Sequence, residues 1–261
     1  MTIRSETGTE TGKVYLVGAG PGAVDLLTLR AARLLEQADI VFHDALVSPE
    51  ILALASKAVL MPVGKRCGKL SSSQQFINRQ LLQAVRRHRT VVRLKGGDPM
   101  LFGRAQEEID YLAGHGVAVE VVPGISAAFG ASASIGRSLT RRGLSRNVVF
   151  ATPATGQGQR SHGWARTVCS ADTVVLYMAS RQVDGVSEEL VRAGVSATRP
   201  AVLIENATLP EERVWYTTVG QLPEAVRNLG EGPALMLIGE VYETAASSCV
   251  PEPTNTVWRV A

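Results

Sequence analysis

Val91-Val92-Arg93-Leu94-Lys95-Gly96-Gly97-Asp98-Pro99 runs from an apolar stretch straight into two glycines, an acid and a proline. The run Val91–Leu94 predicts a buried strand, and Met100-Leu101-Phe102-Gly103 leads on to a helix-like segment. The glycines, acid and proline then form a tight, exposed turn at the carboxyl end of that strand. In an open α/β sheet, ligands sit at such ends. Glycine lets backbone approach a ligand closely, and Asp98 offers a carboxylate to an amine or hydroxyl.

Working outward, the same alternation repeats. Strands are predicted at Lys13–Val17, Ile40–Phe42, Ala58–Met61, Thr90–Leu94 and Val117–Val122. Helical spacing appears from Leu26 to Leu35, from Pro49 to Ala55 and from Arg104 to Ala113. Ser71-x-x-Gln74 reads as a capping box opening a helix that reaches about Arg87. Apolar runs separated by amphipathic helices predict a mostly parallel sheet with helices on its faces. From Gly136 to Arg146 the chain is short of apolar residues and rich in arginine, and a boundary is expected near 137–147. A second α/β series follows. Its strands are expected at Asn147–Phe150, Thr173–Met178, Ala201–Glu205, Arg213–Val219 and Ala234–Val241, with helices at Ser187–Ala193 and Gln221–Leu229.

Composition excludes several function classes. At 261 residues, 45% hydrophobic and 20% charged, the chain has ordinary globular usage and room for a sizeable core. A net charge of +3 is too small to imply nucleic-acid binding and is compatible with an acidic small-molecule substrate. Cys67, Cys169 and Cys249 are far apart, the four histidines form no H-x-x-x-H pair, and no metal site is expected. Sparse cysteine fits a reducing, cytoplasmic setting. No run of about 18 apolar residues predicts a membrane span, and the polar residues 1–12 do not form a secretory signal.

Gly18-x-Gly20-x-x-Ala23 fits a relaxed dinucleotide fingerprint, with Asp44 where a ribose-binding acid would stand. Three readings of that loop remain open: a dinucleotide site, a site for another ligand, or a structural turn. Small residues also close three further strands, at Gly96-Gly97-Asp98, at Pro123-Gly124-Ile125-Ser126-Ala127 and at Met178-Ala179. A ligand held across several such loops fits better than one held by a single loop.

Taken in order, the motifs resemble the tetrapyrrole methylase family. They are Val17-Gly18-Ala19-Gly20-Pro21-Gly22, Ala38-Asp39-Ile40-Val41-Phe42-His43-Asp44-Ala45-Leu46-Val47-Ser48, Val63-Gly64-Lys65-Arg66-Cys67-Gly68, Val91 to Pro99, Val121 to Ala128, and Tyr177-Met178. The resemblance covers about residues 13–243. It implies class III methyltransferase architecture: two α/β domains, with a mostly parallel sheet in residues 13–140, a mixed sheet in 147–245, and tails at 1–12 and 246–261. It also implies S-adenosylmethionine as methyl donor in a cleft between the domains, S-adenosylhomocysteine as product, no metal, and a homodimer. The implied reaction is C-methylation of uroporphyrinogen III at C2 and C7, giving precorrin-2 through precorrin-1. Precorrin-2 feeds sirohaem and cobalamin synthesis. Bifunctional relatives carry an extra N-terminal dehydrogenase–chelatase module, for which this chain is expected to leave no room.

By the same resemblance Asp44 is the proton acceptor and Lys65 the proton donor. Without it, Asp44 reads as a turn or cap acid and Lys65 as a surface lysine. The implied cofactor-binding positions are Pro21, Gly96, Gly97, Asp98, Leu101, Ser126, Ala127, Met178 and Ala207. The implied substrate carries eight carboxylates, which arginine forks suit. Arg66, Arg104, Arg141 and Arg142 are the candidates, with Lys69 behind them. The chain departs from the family pattern at Ala23, Leu70, Ser73, Ala105-Gln106, Arg141, Thr152-Pro153-Ala154, Ala179 and Ala207. These departures bear on substrate and rate more than on fold. A later precorrin methylase, an NAD-dependent oxidoreductase and a non-catalytic ligand-binding regulator are the competing expectations.

Overall fold

The strand predicted at 90–94 is the middle strand of a five-stranded sheet, in a computed structural model that describes residues 12–63, 74–153, 163–180 and 183–243. Lys65, Arg66, Cys67, Lys69, Leu70, Ser71, Ser73, Ala154 and the outer tails lie outside the described residues. The chain divides into two compact units at the Gly130–Ala131 junction.

The first unit contains β1 (Lys13–Gly18), α1 (Leu29–Gln37), β2 (Ile40–His43), α2 (Pro49–Ala53), β3 (Val59–Pro62), α3 (Gln74–Ala84), β4 (Thr90–Lys95), α4 (Ala105–Ala113) and β5 (Val119–Val122). Helix α5 (Ala127–Ser134) runs across the junction. The strands lie in the order β3-β2-β4-β1-β5, and every pairing is parallel. Alternation along the strands sorts the core onto two faces. Val14, Leu16, Phe42 and Val91 pack with Leu81 of α3 and Leu112 of α4. Val17, Val41, Val92 and Leu94 pack with Leu35 of α1 and Ile51 of α2. Arg93 and Lys95 share the parity of Val91, so both belong to the α3/α4 face.

The helix expected from Leu26 is broken in two. A 3-10 turn covers Val24–Leu26 and Leu27 is extended. The Thr28 hydroxyl then accepts from the Ala31 amide and caps α1; this capping fixes the helix start.

The second unit contains β6 (Val148–Ala151), α6 (Trp164–Val168), β7 (Thr173–Leu176), α7 (Val183–Arg192), β8 (Pro200–Glu205), β9 (Arg213–Thr218), α8 (Leu222–Val226) and β10 (Ala234–Gly239). Its sheet has the order β6-β7-β10-β8-β9. The β6–β7 pair is parallel, and the other three pairings are antiparallel. The sheet is therefore mixed. Because β7 and β8 both oppose β10, they run the same way and end at one edge. The strand expected to reach Met178 stops at Leu176 because Met178 adopts a left-handed backbone, with φ of 55°. The short helix α6 has no counterpart in the sequence-based expectation.

Candidate active site

Three turns meet at the carboxyl edge of the first sheet. They follow β4, β1 and β5, which are neighbours in that order. The Ala19 amide donates to the Lys95 carbonyl at 2.7 Å, and Gly20 and Gly97 exchange backbone hydrogen bonds at 2.7 and 3.2 Å. Asp98 pins the arrangement: Oδ1 accepts from the Met100 amide at 2.8 Å, and Oδ2 accepts from the Gly124 amide at 3.0 Å. Gly124 is where glycine is obligatory. A Cβ there would stand 2.3 Å from the Gly97 carbonyl oxygen and 2.8 Å from the Gly18 Cα. Over Gly97 the opposite holds: its φ of 67° favours glycine, but the nearest atom to an added Cβ is 3.8 Å away. The turns are tied together underneath, and at Gly97 an added methyl would meet only ordinary contacts; together they form a shallow cradle of backbone. Pro21, Gly96, Gly97, Asp98 and Ser126 belong to these turns, and Ala127 opens α5 directly after the third. Leu101 follows closely, its amide donating to the Asp98 carbonyl at 3.3 Å.

Asp44 stands at the end of β2, the strand beside β4. Its amide donates to the Leu94 carbonyl at 3.3 Å, and its Oδ1 accepts from Arg93 Nη2 at 2.5 Å. Its Oδ2 has no partner among the described residues. Arg93 is buried, and so are Lys95 and Glu108. Arg93 Nε donates to Glu108 Oε1 at 3.2 Å, and Lys95 Nζ donates to both Glu108 oxygens at 3.3 and 3.4 Å. Gln74 Nε2 adds a third donor to Oε1 at 2.9 Å. Two cations and two carboxylates are thus set in charge balance, as burial requires. Burial pulls the Lys95 ammonium below its ordinary value of 10.5; the neighbouring Arg93 charge acts in the same sense and Glu108 opposes it.

In the second unit, the residues after β7 and β8 share one sheet edge. Met178 is exposed and left-handed, and Ala179 beside it is buried. Asn206 and Thr208 flank the buried Ala207 with φ of 52° and 69°. The Thr208 amide donates to Glu212 Oε2 at 2.6 Å. Arg141 and Ser145 exchange backbone hydrogen bonds at 3.0 and 2.8 Å around Gly143, a tight turn that leaves the Arg141 and Arg142 side chains exposed. Arg104, by contrast, is gripped through two hydrogen bonds of 2.7 and 2.6 Å by Glu107.

The tetrapyrrole (corrin/porphyrin) methylases match residues 13–223 of the chain. The chain belongs to this family. The uroporphyrin-III C-methyltransferase of Thermus thermophilus, solved in complex with S-adenosylhomocysteine, is 39% identical. Its TM-score is 0.78, over 88% of this chain and 98% of that one. A cobalt precorrin-4 methyltransferase, a cobalamin biosynthetic enzyme, is 31% identical with a TM-score of 0.79, over 89% and 96% of the two chains. The sirohaem synthase of Pseudomonas fluorescens is 43% identical over 243 residues, 92% of this chain and 52% of that protein. The methylase chain spans about half the length of the curated relatives it matches.

In this methylase the glycine loop after β1 differs from a dinucleotide fingerprint in one decisive respect. The fingerprint needs a helix N-terminus directly behind the glycines. Pro21-Gly22 and the 3-10 turn at Val24–Leu26 stand there instead, and α1 begins only at Leu29. Sequence reasoning missed Arg93, Lys95 and Glu108. The signal was available: Arg93 and Lys95 sit two apart in an otherwise apolar buried strand, and charges so placed must find partners. Among the described residues, no cluster of three or more His, Cys, Asp or Glu side chains could hold a metal ion. No helix among them is long and apolar enough to cross a membrane.

Proposed function

We propose that this chain is a uroporphyrinogen-III C-methyltransferase. It transfers methyl groups from S-adenosylmethionine to C2 and C7 of uroporphyrinogen III, giving precorrin-2 through precorrin-1, and works as a homodimer in the cytoplasm. The observation that carries the reading is Asp44: one carboxylate oxygen is anchored on Arg93 and the other has no described partner, on the strand next to the Gly96–Gly97 turn. The likeness to the Thermus thermophilus enzyme supports the choice of substrate.

The cofactor, when bound, supplies an electrophilic methyl on a sulfonium, so the protein's task is alignment. Pro21, Gly96, Gly97, Asp98, Leu101, Ser126 and Ala127 in the first unit and Met178 and Ala207 in the second are the proposed binding residues. Backbone polar groups of the glycine turns bind its polar parts, and Met178 offers an adaptable apolar contact. Asp98, with both oxygens already holding backbone amides, keeps the turns in register. The reduced macrocycle provides the electron-rich pyrrolic carbon. Once that carbon is methylated, conjugation is restored by loss of a proton, which Asp44 Oδ2 accepts as the carboxylate becomes a carboxylic acid. Lys65 is the proposed proton donor. Arg66, Arg104, Arg141 and Arg142 bind the peripheral carboxylates, with Arg104 exchanging Glu107 for substrate.

A second reading is favoured by the cobalt precorrin-4 methyltransferase likeness: methylation of a later precorrin by the same site. Anaerobic incubation with uroporphyrinogen III and isotopically labelled S-adenosylmethionine, followed by mass analysis, separates the two. The proposal expects a tetrapyrrole heavier by two labelled methyls. Unaltered uroporphyrinogen, with label entering a later precorrin supplied in a parallel incubation, would overturn it in favour of the second reading.

A further inference from the structure

We propose that Arg93 and Glu108 are positioning residues for Asp44, a buried relay that fixes which carboxylate oxygen faces the substrate. The inference rests on the reading of Asp44 as proton acceptor and names the groups that make it one.

Arg93 spends three nitrogens at once. Nη2 holds Asp44 Oδ1 at 2.5 Å, Nε holds Glu108 Oε1 at 3.2 Å, and Nη1 holds the Leu94 carbonyl at 3.2 Å. A guanidinium is planar, so three simultaneous acceptors leave it one orientation. Glu108 is itself fixed from the other side by Lys95 and by Gln74 of α3, whose Nε2 also reaches Asn78 Oδ1 at 3.0 Å. The side chains of Arg93 and Glu108 are 3% and 0% exposed, whereas that of Asp44 is 26% exposed. Order thus runs outward from a buried pair to a carboxylate at the surface of the cradle. Asp44 opens a turn through its carbonyl, which accepts from the Val47 amide at 3.3 Å, but its carboxylate caps no helix and bonds no backbone amide among the described residues, so that turn makes no use of the side chain. A positioned proton acceptor does. With one lone pair of Oδ1 engaged by the Arg93 guanidinium, Oδ2 is the oxygen better placed to take a proton, and the same bond fixes the plane of the carboxylate. Lys95 serves the relay indirectly: its charge offsets Glu108 and leaves Arg93 to balance Asp44.

The test uses four variants of the full chain: Arg93→Gln, Arg93→Lys, Asp44→Asn and the double Asp44→Asn/Arg93→Gln. Turnover of uroporphyrinogen III, KM for the methyl donor and affinity for S-adenosylhomocysteine are measured for each. Arg93→Gln is expected to lower kcat about 100-fold, the scale of a small misplacement at a reacting centre, while KM and product affinity stay within about threefold. Arg93→Lys is expected to recover part of this, about 10-fold below wild type, because an ammonium reaches one carboxylate but lacks the fork that spans both. The double variant is expected to be no slower than Asp44→Asn alone, the non-additivity of residues acting as one unit. If Arg93→Gln does not fold, Arg93→Lys decides: a lowered kcat at unchanged KM supports the relay, and wild-type kcat overturns it. A double variant slower than Asp44→Asn by the full Arg93 effect also overturns it, since Arg93 would then act independently. If Asp44→Asn turns over as fast as wild type, the underlying reading of Asp44 fails. If Asp44→Asn is inactive while both Arg93 variants are normal, only the relay fails.

Discussion

At the ends of β1, β4 and β5 the chain turns on glycines; at the ends of β7 and β8 it turns on residues that keep their side chains. At the first set of turns Gly20 and Gly97 take positive φ, and at the second Met178, Asn206 and Thr208 do so; Phe102 and Arg104 are also left-handed, further along the connection from β4 to α4. Left-handed backbone at a non-glycine residue costs about 1–2 kcal/mol. In the first unit, close approach of three turns leaves no space for a Cβ at Gly124. In the second, side chains persist in spite of the strain. Buried charge differs in the same way. Among the described residues, each unit buries one glutamate completely. Glu108 faces two buried cations, whereas Glu205 is met by the half-exposed Arg213 and by the Gly232 amide at 3.0 Å. The first glutamate is wired toward Asp44, and the second secures a loop.

That contrast breaks first at the glutamates. Glu108→Gln is expected to destabilise the protein by about 3–5 kcal/mol, because Arg93 and Lys95 are left buried with one carboxylate fewer. Glu205→Gln is expected to cost only about 1–2 kcal/mol, since Arg213 can turn to water. Equal losses in denaturant melts would erase the distinction. Next comes Gly124→Ala, expected to cost about 3 kcal/mol through overpacking against the Gly97 carbonyl and to abolish S-adenosylhomocysteine binding in calorimetry. Unchanged binding would mean that the joined turns are not the cofactor edge.

Tyr242 provides a smaller, pH-dependent contrast. Its hydroxyl is buried without a partner among the described residues, and burial raises its pKa above the ordinary 10.0. The fold therefore keeps a proton that the unfolded chain releases above about pH 10. Stability is full below that pH and declines above it. Tyr242→Phe is expected to gain about 1 kcal/mol by removing the unsatisfied hydroxyl and to flatten the alkaline decline seen in wild-type melts. Smallest is Met178→Gly. Relief of about 1–2 kcal/mol of backbone strain, less about 0.5–1 for glycine's flexibility, should raise stability slightly. If Met178 contacts the cofactor, S-adenosylhomocysteine affinity falls at the same time, so a gain in both would remove it from the site.

The buried parallel strands β1, β2 and β4 were legible as apolar runs, because such a strand has few other ways to be written; the exposed β3 and the antiparallel β9, with its arginine and threonines, carry a weaker signal. The turns were legible where glycines closed them. What the sequence could not convey was order and partnership. Nothing local says that β4 lies between β2 and β1, and it is this placement that brings Arg93 to Asp44. Glu108 reads locally as one acid of an exposed helix, and only packing of α4 on the sheet turns it inward. Helix α6 was missed because Trp164–Val168 is too short to show a period. The break before α1 was missed because the leucine spacing continues through Leu26 and Leu27, although Thr28 caps the helix after them.

Asp44 is proposed to take a proton from the methylated macrocycle while the glycine turns hold the cofactor without its help. Asp44→Ala, assayed for uroporphyrinogen III turnover and titrated calorimetrically with S-adenosylhomocysteine, tests both halves together. The account predicts turnover lost and affinity within about threefold of wild type, as for a group used in the chemical step rather than in binding. Full turnover in that variant would contradict it.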